Sequence, residues 1–294
     1  ALTAYQKALE LFQGLNRQIE QAHLYNNIGL VHAAMGNSLQ ALDSYKKAEV
    51  IYQEFGTEVD LVDIRYNIAG LYLRLRRYDI ATEMFEQVIN KRLELKDQAG
   101  VASARSDIGV TYKQSGNYAA ALEYLQLALS YYQQQQDNYH LASSYHNLAE
   151  VYNELDQAEQ AENYANLAVE LSEKYRFNAI WAGSMQSLAR ALFLQGETKR
   201  PLELLQRSTE IARQSDYQQQ LRANLSLLPL IYVAKGDREL ALKTYQEFMA
   251  LNFQLSNDQL NEYLAKFESS ELKQQLAQLK QREQLKPLEA ERVS

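Results

Sequence analysis

The sequence predicts an all-α fold, a solenoid of antiparallel helix pairs, and three observations predict it. First, the chain repeats every 40 residues: Gly36, Gly116, Gly196 and Gly236 share one column, with Arg76 and Asp156 in its two gaps. Second, further columns keep the same register, one reading Ala1, Ala41, Ala81, Ala121, Ala161, Pro201 and Ala241, another His32, Tyr72, Tyr112, Tyr152, Leu192 and Tyr232. Third, no insertion breaks the register from 1 to 255. A unit this regular buries its apolar face against its neighbours, so stacking replaces a closed core.

Each unit reads as helix, turn, helix. Within 22–61, Leu24, Ile28, Val31 and Met35 recur at three and four residues, Gly36-Asn37 interrupts them, and Ala41, Leu42, Tyr45, Ala48, Ile51 and Tyr52 resume the period. Gly36 suits a left-handed position past the first helix, and Asn37, Asn117 and Asp237 are expected to cap the second. Gly29, Ala69, Gly109, Ala149 and Ala189 lie mid-helix. A larger side chain there would hold the paired helices apart, and since Gly costs about 1 kcal/mol against Ala, close approach must return more.

Taken in order, 1–21 is a half unit, and full units occupy 22–61, 62–101, 102–141, 142–181, 182–221 and 222–255. Pro201 is expected in the first turn of its helix, delaying its start. Pro229 stands in the column of Gly29 and Ala69 and predicts a kink or break near Leu225, because it removes a backbone donor and clashes with the preceding turn. Past 255 the register fails, with Glu268 and Ser269 where the repeat needs Leu or Ile and Gly or Ala. Ser256-x-x-Gln259 reads as a capping box that opens a new helix, and its stripe Leu260, Tyr263, Leu264 and Phe267 is expected to cap the last unit. Leu272, Leu276 and Leu279 extend an amphipathic helix towards Pro287, with coiled-coil potential for oligomer formation.

The unbroken period makes 294 residues one elongated domain followed by the segment 256–294. A net charge of -7 with acids and bases interleaved argues against the concentrated basic face that nucleic acid requires. There is no Cys, hence no disulfide frame or thiolate chemistry. No apolar run is long enough to span a bilayer, no signal peptide is present, and the composition fits either the cytosol or a bacterial periplasm. The opening at Ala1, within a second helix and without Met, reads as a fragment or processed product. No catalytic triad order, phosphate-binding Gly loop or carboxylate pair can be placed on a strand-to-helix turn, so this region is expected to be no enzyme and to hold no cofactor. His146, Glu150 and Glu154 fall four apart on one face, but no second His lies at matching spacing and no metal is expected. The 21 Tyr follow the repeat columns and read as packing residues.

The run Asn27-Ile28-Gly29-x-x-His32, seen again as Asn67-Ile68-Ala69-x-x-Tyr72, Asp107-Ile108-Gly109-x-x-Tyr112 and Asn147-Leu148-Ala149-x-x-Tyr152, resembles the tetratricopeptide repeat. So does Ala41, Tyr45, Ala48 in the second helix. The resemblance implies a right-handed superhelix whose first helices line a concave groove. On that wall the first four units place polar residues, among them Asn27, Asn67, Arg74, Asp107, Lys113, His146, Asn147, Glu150 and Glu154, with Arg190 in the fifth. The last two units turn apolar, with Phe193, Leu194, Ala223, Leu227, Leu230, Val233 and Ala234.

A carboxamide offers a donor and an acceptor together, so Asn27, Asn67 and Asn147 could each bond both polar groups of a ligand peptide unit. They could equally bond the neighbouring repeat or water. Arg74, Lys113 and Arg190 could receive a ligand carboxylate, or pair with Asp63, Asp107, Glu150 or Glu154 across the groove.

The tail Ala250-Leu251-Asn252, Ser256-Asn257-Asp258, Leu264-Ala265-Lys266-Phe267-Glu268, Glu271-Leu272 and Leu276-x-x-Leu279 resembles the segment that follows the repeats in bacterial membrane-bound signalling proteins. That resemblance implies the sensor region of a membrane-anchored histidine kinase or diguanylate cyclase, binding a protein or peptide in its groove from the periplasm. A passive scaffold or adaptor, and a cytosolic receptor for a short signalling peptide, remain the alternatives.

Overall fold

The computed structural model describes residues 2–256. Those residues form thirteen helices: α1 (Leu2–Gly14), α2 (Gln18–Ala34), α3 (Ser38–Phe55), α4 (Glu58–Arg74), α5 (Tyr78–Glu94), α6 (Gln98–Ser115), α7 (Tyr118–Gln135), α8 (Asn138–Glu154), α9 (Ala158–Tyr175), α10 (Asn178–Leu194), α11 (Lys199–Gln214), α12 (Gln218–Ala234) and α13 (238–256). No strand occurs among the described residues. Each first helix begins at 18, 58, 98, 138, 178 or 218, four residues before the unit boundary that the apolar period draws. Its opening turn, such as Gln18-Ile19-Glu20-Gln21, is mostly polar and adds little to that period.

The described residues divide into two compact units, one ending at 211 and the other beginning at 212. In the first, each helix from α1 to α10 packs on the next. The first helices of neighbouring pairs also touch, α2 on α4, α4 on α6, α6 on α8 and α8 on α10, while no contact of that kind joins the second helices α3, α5, α7 and α9. The first helices therefore lie on the inside of a curved stack. In the second unit, Leu225, Leu228 and Ile231 of α12 and Ala241 of α13 are buried.

The small mid-helix column does what its spacing demands. Ala69, Ala149 and Ala189 are fully buried, and a Cβ on Gly29 would collide with the Tyr45 ring. A Cβ on Gly109 would stand 2.7 Å from Leu125 Cγ. Tyr45, Phe85 and Leu125 occupy one column of the second helices and are 0–2% exposed, so a large residue of each second helix fills the notch left by a small residue of the first.

The turns are more regular than the sequence suggests. Left-handed φ values occur at Gly36, Gly116, Gly196 and Gly236, but also at Arg76 and Asp156 in the same column and at Asn16, Lys96, Gln136, Arg176 and Asp216 after the second helices. In these Schellman-type stops a carbonyl inside the helix accepts from the residue past the turn, as Tyr132 O does from Asp137 N at 3.1 Å. The exception is Gly56, with φ -88, where Thr57 and Asp60 form a capping box instead. A non-Gly residue in the left-handed region costs about 1–2 kcal/mol, against about 0.5–1 kcal/mol of extra chain entropy for Gly. Gln136→Gly is thus expected to raise stability by about 0.5–1 kcal/mol in urea unfolding, and unchanged stability would mean that the turn carries no strain.

Some local expectations hold and others need correction. Asn117 and Asp237 cap their helices through Ala120 N and Leu240 N, whereas Asn37 makes no such bond. Asp97 and Asp137 add caps that the column reading passed over. Pro201 lies in the first turn of α11, which starts at 199 where the 40-residue register would place 198. Pro229 does not break its helix, since α12 runs continuously through it, with Leu225, Leu228 and Ile231 buried around it to hold both halves in place. Ser256 is no N-cap either, because it lies within α13 and its hydroxyl donates to Asn252 O at 2.8 Å. Gln259, the stripe Leu260 to Phe267, and the expected amphipathic tail lie outside the described residues.

Candidate ligand groove on the first helices

The inner wall of 1–211 is built from α2, α4, α6, α8 and α10, each of which offers the next a polar side chain at a repeated step. Asn67 Nδ2 donates to Asn26 Oδ1 at 2.9 Å, and Tyr66 OH donates to Asp107 Oδ2 at 2.5 Å. Arg74 Nη1 donates to Ala33 O at 3.0 Å. Each of these bonds spans 41 residues, one repeat plus one. From α6 onward shorter steps occur, two of them of 34 residues: Lys113 Nζ donates to Asn147 Oδ1 at 2.8 Å, and Asn153 Nδ2 donates to Ser187 O at 2.9 Å.

Two members of the Asn column take part in these bonds. Asn67 and Asn147 are tied to the preceding first helix, so part of their hydrogen-bonding capacity belongs to the fold. Asn27 is half-buried, and no first helix precedes α2 among the described residues. Asp107 is half-buried, and desolvation pushes its carboxyl above the usual carboxylate range while the Tyr66 hydroxyl and His140 pull the other way.

Lys113 and Arg190 are engaged by acids of the chain. Lys113 reaches Glu150 Oε2 at 2.5 Å, and Arg190 reaches Glu154 Oε1 at 2.5 Å and Asn153 O at 3.2 Å. His146 Nε2 stands 3.6 Å from Glu150 Oε2, and its Nδ1 is buried without a partner among the described residues. Burial would raise the Glu150 carboxyl, but Lys113 and His146 outweigh it and bring the pKa down to about 2. Burial lowers the His146 imidazole, and Lys113 adds to that effect against the pull of Glu150. No cluster of His, Cys, Asp or Glu able to hold a metal ion occurs among the described residues.

Other pairings differ from those expected. Asp63 pairs with Arg92 of α5 at 2.8 Å, away from Arg74, and the same guanidinium holds the Asp97 cap at 2.8 Å and lies 5.2 Å from the Tyr66 ring centroid. Leu227 is buried where an open wall residue was expected. It occupies the column of Asn147 and Ser187, which are also buried as ties between first helices. Leu194 in the first unit and Leu230 and Val233 in the second remain exposed, at 49%, 55% and 61%. Tyr66 was missed as a wall residue, although it directly precedes Asn67 of the Asn column. No helix among the described residues is long and apolar enough to cross a membrane.

The tetratricopeptide repeat family profile matches residues 22–51, 60–134 and 100–174. No curated protein matches the sequence. Among solved structures, the apo form of RapI aligns with a TM-score of 0.72 at 17% identity, over 87% of this chain and 92% of its own. The Rap conjugation gene regulator of the plasmid pLS20, solved in complex with a Phr peptide, aligns at 0.66 and 15% identity, over 87% and 69%. A signal transduction ATPase with numerous domains and a tetratricopeptide repeat sensor, from Pyrococcus horikoshii, aligns at 0.69 and 17% identity, over 87% of this chain and 41% of that one. These likenesses show a shared fold, and together with the repeat matches and the notched helix pairs they make the chain a tetratricopeptide repeat protein.

Proposed function

We propose that this chain is a non-catalytic repeat domain that binds an extended peptide or protein segment along its first-helix wall. One observation carries the reading: the polar side chains of that wall are fixed by bonds from one repeat to the next, so donors and acceptors stand ready without a further ordering cost. Asn27 and Asn67 present carboxamides at one end, and Asn147, His146 and Glu150 form the centre. The Rap regulator solved with a peptide shares this fold, which favours a short peptide as the ligand. The repeat sensor of the Pyrococcus protein and the signalling-type tail sequence favour a sensor region, in which a bound segment shifts the spacing of the stacked helices.

Selection from a displayed library of random dodecapeptides tests this directly. Selected peptides are expected to lose about 1 kcal/mol of affinity for Asn27→Ala or Asn67→Ala. Asn27→Ala should leave thermal stability unchanged, while Asn67→Ala should lower it slightly through the lost bond to Asn26. No selected peptide, or peptides indifferent to both substitutions, would remove the wall as a binding site.

A further inference from the structure

The contact between α8 and α10 is unlike the other contacts between first helices. These two lie against each other along more of their length than α2 and α4, α4 and α6, or α6 and α8. Residue size explains the approach. The row that a first helix turns to the one before it reads Ile64, Asn67 and Leu71 in α4, but Ser184, Ser187 and Ala191 in α10. Gly183 adjoins that row, and all four of these α10 residues are buried. Helices packed on small side chains come closer and gain dispersion contact along their backbones.

Closeness here leaves polar groups unpaired. One repeat plus one separates Asn26 from Asn67 and Tyr66 from Asp107, and both pairs are hydrogen-bonded. The same step leads from His146 on α8 to Ser187 on α10, and there the bond is not made: His146 Nδ1 and Ser187 Oγ are both buried without a partner. The two groups suit each other, because the ring turns Nε2 towards Glu150, at 3.6 Å, and with the proton on Nε2 the other nitrogen accepts from a hydroxyl. α8 is tied to α10 elsewhere, by Asn153 Nδ2 to Ser187 O at 2.9 Å and by Arg190 to Glu154 and to Asn153 O. Asn153 Oδ1 and Ser184 Oγ are unpaired as well. Since buried polar groups are rarely left unbonded, the close joint holds its packing at the expense of hydrogen bonds. On its other side α10 rests on α9 through Leu188 and Leu192 against Ala165, an apolar contact on which it can roll without breaking a polar bond.

We infer that the α8–α10 contact is a joint with two positions. In the one described, Asn153 holds Ser187 O and the helices touch. In the other, α10 rolls on α9 away from α8 to the spacing of the remaining first helices, Asn153 lets go, and the Ser187 hydroxyl donates to His146 Nδ1 in the step that Tyr66 and Asp107 use. The joint thereby sets the angle between α8 and α10, and with it the local curvature of the inner wall. It is a property of the chain without ligand and does not depend on the peptide reading.

Paired spin labels on the full chain test it, because a protein without Cys takes a label only where a Cys is introduced. Asn138→Cys with Asn178→Cys spans the joint at the first residues of α8 and α10, and Gln98→Cys with Asn138→Cys spans α6 and α8 as the control. Pulsed electron–electron distance measurement is expected to give two distances for the first pair and one for the second. Asn153→Ala removes the tie of the close position and should raise the ratio of longer to shorter distance about fivefold, the worth of one hydrogen bond. Ser187→Ala removes no side-chain bond from the close position and should lower that ratio by a similar factor, at unchanged helix content by circular dichroism. A single distance in all three proteins, two distances at the control pair as well, or a ratio indifferent to either substitution would overturn the joint.

Discussion

Phe85→Ala is expected to lower unfolding stability by about 3–5 kcal/mol, the range for losing a fully buried aromatic side chain. Phe85 is 0% exposed and sits among Val62 and Ala69 of α4, Ala81, Val88 and Ile89 of α5, and Val101, Ala104 and Ile108 of α6. It thus joins three consecutive helices. The pocket cannot close readily, because Ala69 opposite is already small and both flanking pairs hold the helix positions from outside. The Tyr66 ring, edge-on at 5.8 Å, would lose its partner, and Tyr66 anchors Asp107 on the inner wall. In a stacked fold, stability is a sum over units and their interfaces, so the damage should stay local and the urea transition should broaden as well as shift. Hydrogen exchange should accelerate in α4 to α6 before α8 and α9. A loss below about 1.5 kcal/mol with a sharp transition would mean that the repeat collapses around the gap, contrary to this account.

The legible part of the fold was the part that repeats with its own chemistry. The notch of Gly29 and Gly109, the large residues at Tyr45, Phe85 and Leu125, and the helix-turn-helix order all follow from residue size and period. The turns were only half legible. Gly announces a left-handed residue, but Gln136, Lys96 and Arg176 adopt the same conformation because the helices on both sides are fixed by stacking, and no side chain signals that. Pro229 shows the converse, a strong local breaker overruled by the burial of its helix. The wall was legible as a set of positions and not as a set of partners. Asn67 and Asn147 stand where a ligand-binding Asn would stand, yet whether a carboxamide turns to a ligand or to the next repeat depends on what lies 41 or 34 residues away, and that requires the packed helices. Leu227 reads as groove-lining in the same column for the same reason.

Lys113→Met is expected to cost about 1–3 kcal/mol at neutral pH, and most of that cost should vanish in acid. Met keeps the apolar stem, so the loss reports the ammonium. That ammonium is nearly enclosed, at 14% side-chain exposure, and bonds both Glu150 and Asn147, while Glu150 is 35% exposed, which keeps the figure below that of a fully buried pair. Without Lys113, Glu150 retains burial, which raises its pKa, and keeps only the more distant help of His146 and Arg190. In the native chain its pKa is about 2, below the ordinary 4.5, so the folded state binds its proton less readily than the unfolded state. That stability is complete above about pH 4.5 and is lost as pH falls towards 2. His146 acts in the same direction at higher pH, since its lowered pKa favours the neutral ring above 6.5 and weakens the fold as pH drops below that value. Asp107 acts oppositely, because a raised carboxyl pKa is relieved by protonation, so it softens the acid transition without reversing it. Urea unfolding of the two proteins should therefore differ most at pH 7 and converge between about pH 4.5 and 2, the window set by Glu150. A gap that stays constant with pH would assign Lys113 to packing alone and detach Glu150 from the order of the groove.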